Sequence, residues 1–316
     1  MSKQISIVVP LFNEEESLPH LIEWIKKVLD TKFSYEVLLV DDGSKDHSWK
    51  IIETLVAENN VVRGIKFQRN YGKSAALQKG FESCKGDVVI TMDADLQDSP
   101  EEIPELYEMI IHQDFDLVSG WKKKRFDSII FKNIPSKIFN FAARTTSGIK
   151  LNDFNCGLKA FKKDVIKSIN VYGEMHRYIP ILAKNEGYKK IGEKIVNHRP
   201  RKYGKTKFGP SRFLYGFLDL LTIWFISSFG KRPMHLFGSL GLILITTGFL
   251  FAAYLGYDKI ILNPGGRLIT ERPEFYISLV TMIIGSQFFS MGFIGELMLK
   301  NINQKPQYII QKQTNL

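Results

Sequence analysis

Apolar, β-branched runs alternate with amphipathic stretches through the first hundred residues. Ile5–Val9, Val37–Val40, Val62–Phe67 and Val88–Met92 each have the length and composition of a buried strand. Between them Leu18, Leu21, Ile22, Ile25, Val28 and Leu29 recur at helical spacing, Ile52, Leu55 and Val56 mark a second helix, and a third opens at Lys73 and runs through Phe81. This alternation predicts an α/β fold with parallel pairing and helices on both faces of the sheet. Further along, the pattern predicts a fifth strand over Phe115–Ser119, a helix over Ile129–Thr146, a strand over Asp153–Phe161, a helix opening within Gly173–Pro180 and a strand over Lys189–Val196. The glycine inside Asp153–Phe161 marks a place where another chain segment comes close.

The last third is patterned differently. Met234–Tyr257 and Phe275–Gly295 hold no Asp, Glu, Lys or Arg, and each is long enough to cross a bilayer. Two spans are expected, at about 234–257 and 275–297. Arg212–Phe229 is nearly as apolar, but Asp219 near its centre would cost about 3 kcal/mol to insert. It is therefore read as one or two helices lying in the interface. The expected organisation is a catalytic part over 1–207, amphipathic juxtamembrane helices over 208–232, a transmembrane pair over 233–299 and a polar tail over 300–316. No secretory signal is read at the N-terminus. Lys231-Arg232 and the basic catalytic part place that part and both termini in the cytoplasm.

Composition adds two constraints. Lys and Arg outnumber Asp and Glu 43 to 33, a net charge of +10, which suits phosphorylated substrates or an anionic membrane surface. The two cysteines, Cys84 and Cys156, form neither a metal spacing nor a disulfide framework.

The candidate chemistry gathers in loops after the strands. Met92-Asp93-Ala94-Asp95-Leu96-Gln97 follows the fourth strand, and its two carboxylates and amide are hard oxygen ligands for Mg²⁺ or Mn²⁺. Ser99-Pro100-Glu101-Glu102 then predicts a capped helix start with a capping box. Leu11-Phe12-Asn13-Glu14 and Asp41-Asp42-Gly43-Ser44 put further acids at the same edge, where ligands of open α/β sheets bind. Each turn alone also fits ordinary turn or capping chemistry; their convergence argues for a nucleotide and a metal. Lys122-Lys123-Lys124-Arg125 can hold phosphate oxygens or form a solvated loop, and His198–Lys207 is basic where the chain approaches the membrane part. His176 is read as a packed core histidine.

Taken together, Val9–Glu14, Val40–Ser44, Arg69-Asn70-Tyr71-Gly72-Lys73, Asp93–Gln97, Asp153–Phe161 and Gly204–Lys207 resemble glycosyltransferase family 2, and within it the polyprenyl-phosphate glycosyltransferases. The resemblance covers nearly the whole chain. It implies a Rossmann-like GT-A catalytic domain facing the cytosol at the inner (plasma) membrane. Pro10, Phe12, Glu14, Asp41, Asp42, Lys73 and Asp93 are then the nucleotide-binding candidates, Asp95 and Gln97 the metal ligands, and Asp93, Asp95 and Asp153 the catalytic candidates. Lys122, Arg125 and Arg201 are expected near the lipid phosphate, joined by Ser136, Asn140 and Lys207. Lys122 stands where relatives often have Arg, and lysine cannot make the two-pronged contact with phosphate that arginine makes.

The implied reaction is metal-dependent, inverting transfer from a nucleotide-sugar, a UDP-sugar favoured over GDP-mannose, to a polyprenyl phosphate. A homo-oligomer, dimer or tetramer, is compatible with it. A processive polysaccharide synthase would carry more spans and a Gln-x-x-Arg-Trp motif, and neither is found. A non-catalytic scaffold would show damaged metal ligands, and these look intact. A nucleic-acid partner is not expected, because no aromatic reading surface accompanies the basic residues.

Overall fold

The computed structural model describes residues 4–123, 140–141, 143–145, 147–200, 232–300 and 310–314. The interfacial helices expected over 208–232, apart from Arg232, lie outside these residues, as do Arg125, Ser136, Arg201 and Lys207. The chain divides into two compact units, one of residues 1–224 with 306–316 and one of residues 225–305.

The first unit is built on an eight-stranded sheet in the order β7-β5-β6-β4-β1-β2-β3-β8. Its strands are β1 (Ile5–Leu11), β2 (Tyr35–Asp41), β3 (Val62–Phe67), β4 (Val88–Thr91), β5 (Leu117–Trp121), β6 (Lys159–Lys162), β7 (Ile191–Ile195) and β8 (Ile310–Thr314). Strands β3, β2, β1 and β4 are parallel neighbours, as the alternating pattern predicts. Helices α1 (Leu18–Leu29), α2 (Ser48–Glu58) and α3 (Lys73–Ser83) connect them.

The pleat sorts the side chains. Ile7, Val9, Val37, Leu39 and Ile90 join Leu21, Ile25, Ile52 and Leu106 in the main core, on the face covered by α1, α2 and α4 (Ile103–Ile111). Val40, Ile65 and Phe67 pack with Ala76 of α3 on the other face. Because both faces are covered, β1 and β2 are buried at every position, which is why their sequences are continuous apolar runs rather than alternating ones.

Four local expectations change. The strand expected over Asp153–Phe161 begins only at Lys159 and runs antiparallel to β4, leaving 153–158 as a loop. The capping box at Ser99 does not form: Pro100–Glu102 is a 3₁₀ turn, and the Glu102 carboxylate instead accepts hydrogen bonds from Lys194 and Asn197. The helix opening near Gly173 divides into a 3₁₀ turn at Met175–Arg177 and α6 (Ile179–Asn185), after the short α5 (Lys163–Ser168). In the tail, where no element was expected, β8 pairs antiparallel with β3.

The second unit is a helical hairpin. Helices α7 (Pro233–Tyr257) and α8 (Pro273–Lys300) are long and apolar enough to cross a membrane. Backbone comes close where side chains are smallest: a Cβ on Gly241 would stand 2.6 Å from the Gly285 carbonyl oxygen. Small residues at such crossings let helices pack without water to drive them together.

Candidate functional site

Strand order reverses between β1 and β4, because the chain runs β1-β2-β3 to one side and then returns to place β4 on the other. Such a switch point opens a crevice at the carboxyl ends of the two strands. The predicted site residues follow those ends: Phe12 and Glu14 come after β1, and Asp93 to Gln97 after β4.

The nucleotide side is set by two turns. Asp41 closes β2, fully buried, with Oδ1 accepting the Ser44 amide at 2.8 Å. Its Oδ2 is buried with no hydrogen-bond partner among the described residues. Burial raises its pKa. An orphaned acceptor in that position fits an N–H of a nucleobase. Asp42 is employed differently: its two oxygens accept the amides of Tyr71 and Gly72 at 2.7 and 2.9 Å, clamping the Arg69–Lys73 loop. Gly43 permits this approach, since its φ is +73° and a Cβ would stand 2.4 Å from the Arg69 carbonyl carbon. Asn13, also left-handed at φ 54°, donates its amide to Ser44 Oγ and so joins the β1 loop to the same turn.

Burial also pushes the Asp42 carboxyl up, to about 6. Between pH 4 and 6 the folded chain therefore holds a proton that the unfolded chain releases, and this group's contribution to stability falls as pH rises through that window. Measured by urea unfolding at pH 4.5 and 6.5, Asp42→Asn should shift the difference between the two pH values by roughly 2 kcal/mol relative to the wild type.

At β4 the central contact is an ion pair, with Lys73 Nζ 2.5 Å from Asp93 Oδ1. Burial alone would raise the Asp93 pKa, but the ammonium groups of Lys73 and Lys122 outweigh it and hold the carboxyl at about 2. The other oxygen faces Gly157, where a Cβ would stand 2.5 Å from Asp93 Oδ2. The glycine predicted to mark close approach does so against the acidic loop itself. Thr91 Oγ1 fixes that meeting by donating to the Gly157 carbonyl at 2.7 Å.

Asp95 and Gln97 flank Leu96, a non-glycine residue held at φ 60°. Strain of this kind clusters at functional loops. The loop is pinned from outside by a bridge between Asp98 and His198 and by the Arg199 amide donating to the Gln97 carbonyl at 2.9 Å. Gln97 Nε2 donates to the Arg199 carbonyl at 3.4 Å, which leaves Oε1 as an acceptor. No group of three His, Cys, Asp or Glu suited to a metal occurs among the described residues. Two side-chain oxygens, with the remaining positions left to substrate phosphates and water, is how Mg²⁺ is commonly held. The donor set thus fits a hard divalent cation.

Other candidates have partners within the fold. Lys122 lies 2.7 Å from Asp98, whose side chain is fully buried, so the lysine expected at the lipid phosphate has its charge balanced within the fold. Burial would lower its pKa, but Asp98 outweighs that and raises it. Asn140 accepts the Phe154 amide at 3.2 Å and holds the loop beside Asp153. Asp153 is fully buried, with Oδ1 accepting the Asn155 amide at 3.1 Å.

Beside Asp93 a cavity is lined by Lys73, Asn155, Lys159, His176 and Arg177. Three of these, Lys159, His176 and Arg177, carried no functional reading in the sequence. His176, read as a packed core histidine, is only half-buried and lines this cavity.

The fold and the switch-point acids define an α/β protein with a ligand crevice at the carboxyl ends of its parallel strands. The chain belongs to glycosyltransferase family 2, whose family model matches residues 6–169. It is 36% identical over 317 residues to a dodecaprenyl-phosphate galacturonate synthase of Rhizobium johnstonii, covering 98% of this chain and 93% of that one. It is 35% identical over 314 residues to an undecaprenyl-phosphate 4-deoxy-4-formamido-L-arabinose transferase of Pseudomonas fluorescens, covering 98% and 89%. Among solved structures, glucosyl-3-phosphoglycerate synthase from Mycobacterium tuberculosis in complex with Mn²⁺, UDP and glucosyl-3-phosphoglycerate superposes with a TM-score of 0.56 at 17% identity, over 71% of this chain and 80% of that one. That likeness carries the GT-A fold. The chain is therefore a glycosyltransferase.

Proposed function

We propose that this enzyme transfers a sugar from a nucleotide-sugar, with UDP as the favoured nucleotide, to the phosphate of a membrane polyprenyl phosphate. The observation that carries this reading is the convergence at one switch point of an orphaned buried acceptor, Asp41 Oδ2, the Lys73–Asp93 pair and the Asp95–Gln97 loop. The relatives named for dodecaprenyl- and undecaprenyl-phosphate products support the acceptor class.

Asp41 takes an N–H of the base, and Pro10, Phe12 and Glu14 border it. Lys73 lies against the diphosphate and Asp93 orients the lysine. Asp95 and Gln97 hold Mg²⁺ or Mn²⁺, which supplies charge neutralisation to the departing diphosphate. The acceptor phosphate has a second pKa near 6 and is already anionic at neutral pH. Its oxygen attacks the anomeric carbon opposite the leaving group and inverts it. No strong base is required, which suits the buried, hydrogen-bonded state of Asp153. Arg125, Ser136, Arg201 and Lys207 remain the candidates for the lipid phosphate, with Lys122 and Asn140 behind them.

Helices α7 and α8 cross the inner membrane, with the catalytic part cytoplasmic, so that a lipid substrate is met at the bilayer surface. Assembly into a dimer or tetramer is part of the same proposal. The test is purified full-length protein with UDP- and GDP-sugars, undecaprenyl phosphate and Mg²⁺ or Mn²⁺. Formation of a lipid-phosphate-linked sugar from a UDP donor is the expected result. Hydrolysis alone, or transfer only to a growing polysaccharide, would refute it.

A further inference from the structure

The cavity beside Asp93 is unusual in what it offers a ligand. Lys159 is 4% exposed, and the hydrogen bond its ammonium makes is to the Cys156 carbonyl. Burial, and the nearby Lys73, lower its pKa, while Asp153 and Asp93 work to keep it charged. An ammonium carries three protons, so this buried one brings more donors than the described residues supply with acceptors.

His176 adds a neutral donor, and its tautomer follows from one hydroxyl. Ser74 is 1% exposed, and its Oγ accepts the His176 backbone amide at 3.0 Å and lies 3.1 Å from Nδ1. A buried hydroxyl must also donate its single proton. Nδ1 is its acceptor here, so the imidazole proton sits on Nε2. Burial, reinforced by Lys73, Arg177 and Lys159, holds the ring well below the usual histidine range and keeps it neutral. Arg177, in the next position, lines the same cavity and contributes positive potential.

A sugar hydroxyl needs both a donor and an acceptor, whereas a carboxylate takes donors alone. The carboxylate lining this cavity is that of Asp93, already paired with Lys73. A neutral hydroxyl could also accept from Lys159, but its own proton would then need an acceptor in a cavity lined mainly by donors; a carboxylate brings no proton and would accept from Lys159 and from His176 Nε2 together. We propose that the cavity formed by Lys159, His176 and Arg177 is a carboxylate subsite, and that the donor sugar carries an acid group of the uronic type. This rests on the nucleotide-sugar reading above and names its substrate class.

The test is calorimetric binding of UDP, UDP-galactose and UDP-galacturonate to the full-length protein with Mn²⁺ and no lipid. The last two differ only at C6. UDP-galacturonate is expected to bind about tenfold to a hundredfold more tightly than UDP-galactose. Lys159→Met should bring that ratio to within about twofold while leaving UDP affinity unchanged, and His176→Ala, which spares the buried lysine, should lower the ratio severalfold. Equal binding of the two sugars, with UDP itself bound, overturns the subsite alone. So does an equal loss of affinity for UDP in Lys159→Met, which would assign the lysine to the diphosphate, or a loss confined to the lipid phosphate in turnover assays. Failure of all three compounds to bind overturns the nucleotide-sugar reading and the subsite with it.

Discussion

Asp95→Ala should lower kcat/KM for sugar transfer by about a thousandfold, which corresponds to about 4 kcal/mol of lost transition-state stabilisation. The reasoning is electrostatic. A departing diphosphate concentrates charge, and a cation beside it contributes several kcal/mol that water cannot supply as a preorganised field. In the proposed site two side-chain oxygens, of Asp95 and Gln97, would hold that cation, and removing the carboxylate would leave Gln97 as a single neutral ligand. Chelating the metal from the wild-type enzyme should reproduce the loss, and adding Mn²⁺ back should restore the wild type but not the variant. Asp95 sits in a loop and is not fully buried, so the thermal midpoint should change by no more than a degree or two. Retained metal-dependent turnover in the variant would remove Asp95 from the site.

The largest expected effect on stability lies at the opposite ends of the same strands. Arg63 and Glu36 form a buried ion pair at 2.5 Å, with side chains 8% and 3% exposed. The remaining capacity of Glu36 is taken by Ser6 Oγ and the Lys85 amide, both at 2.6 Å, and Arg63 also donates to the Ser83 carbonyl at 3.1 Å. These groups come from the starts of β1, β2 and β3 and from the turn before β4. Arg63→Met would leave a carboxylate buried without its partner, a loss of roughly 3–5 kcal/mol. The thermal midpoint should fall by about 10 °C, while kcat/KM at 20 °C stays within twofold of wild type. Adding Glu36→Gln should recover part of the loss, because the uncompensated charge is then gone. A variant that kept its midpoint but lost activity would contradict this division between a stabilising end and a catalytic end.

The parallel half of the sheet was legible because its strands are buried on both faces and read as unbroken apolar runs. The acidic loops were legible for the related reason that carboxylates at the end of such a run have little structural use. What escaped depends on partners distant in sequence. The close approach at Gly157 was expected, but its partner, Asp93, appears only in the fold. Glu102 has the spacing of a capping residue, but Lys194 and Asn197 compete for its carboxylate and win. The partner of Lys122 was also hidden: only the fold brings Asp98 beneath it. His176 was read as a packed core histidine, but in the fold it is half-buried on the wall of a cavity, which its sequence neighbours do not reveal. The positions of Lys159 and Arg177 became informative for the same reason, once β6 and the 3₁₀ turn were seen to meet α3.

The pairing of Ile310–Thr314 with β3 has a practical side. A truncation at residue 305 would look harmless on paper, since it trims a short hydrophilic end. It would in fact uncover the backbone amides and carbonyls along the flank of β3, a ready template for intermolecular association. Expression work should therefore keep the final residues and place any affinity tag beyond Leu316 on a flexible spacer.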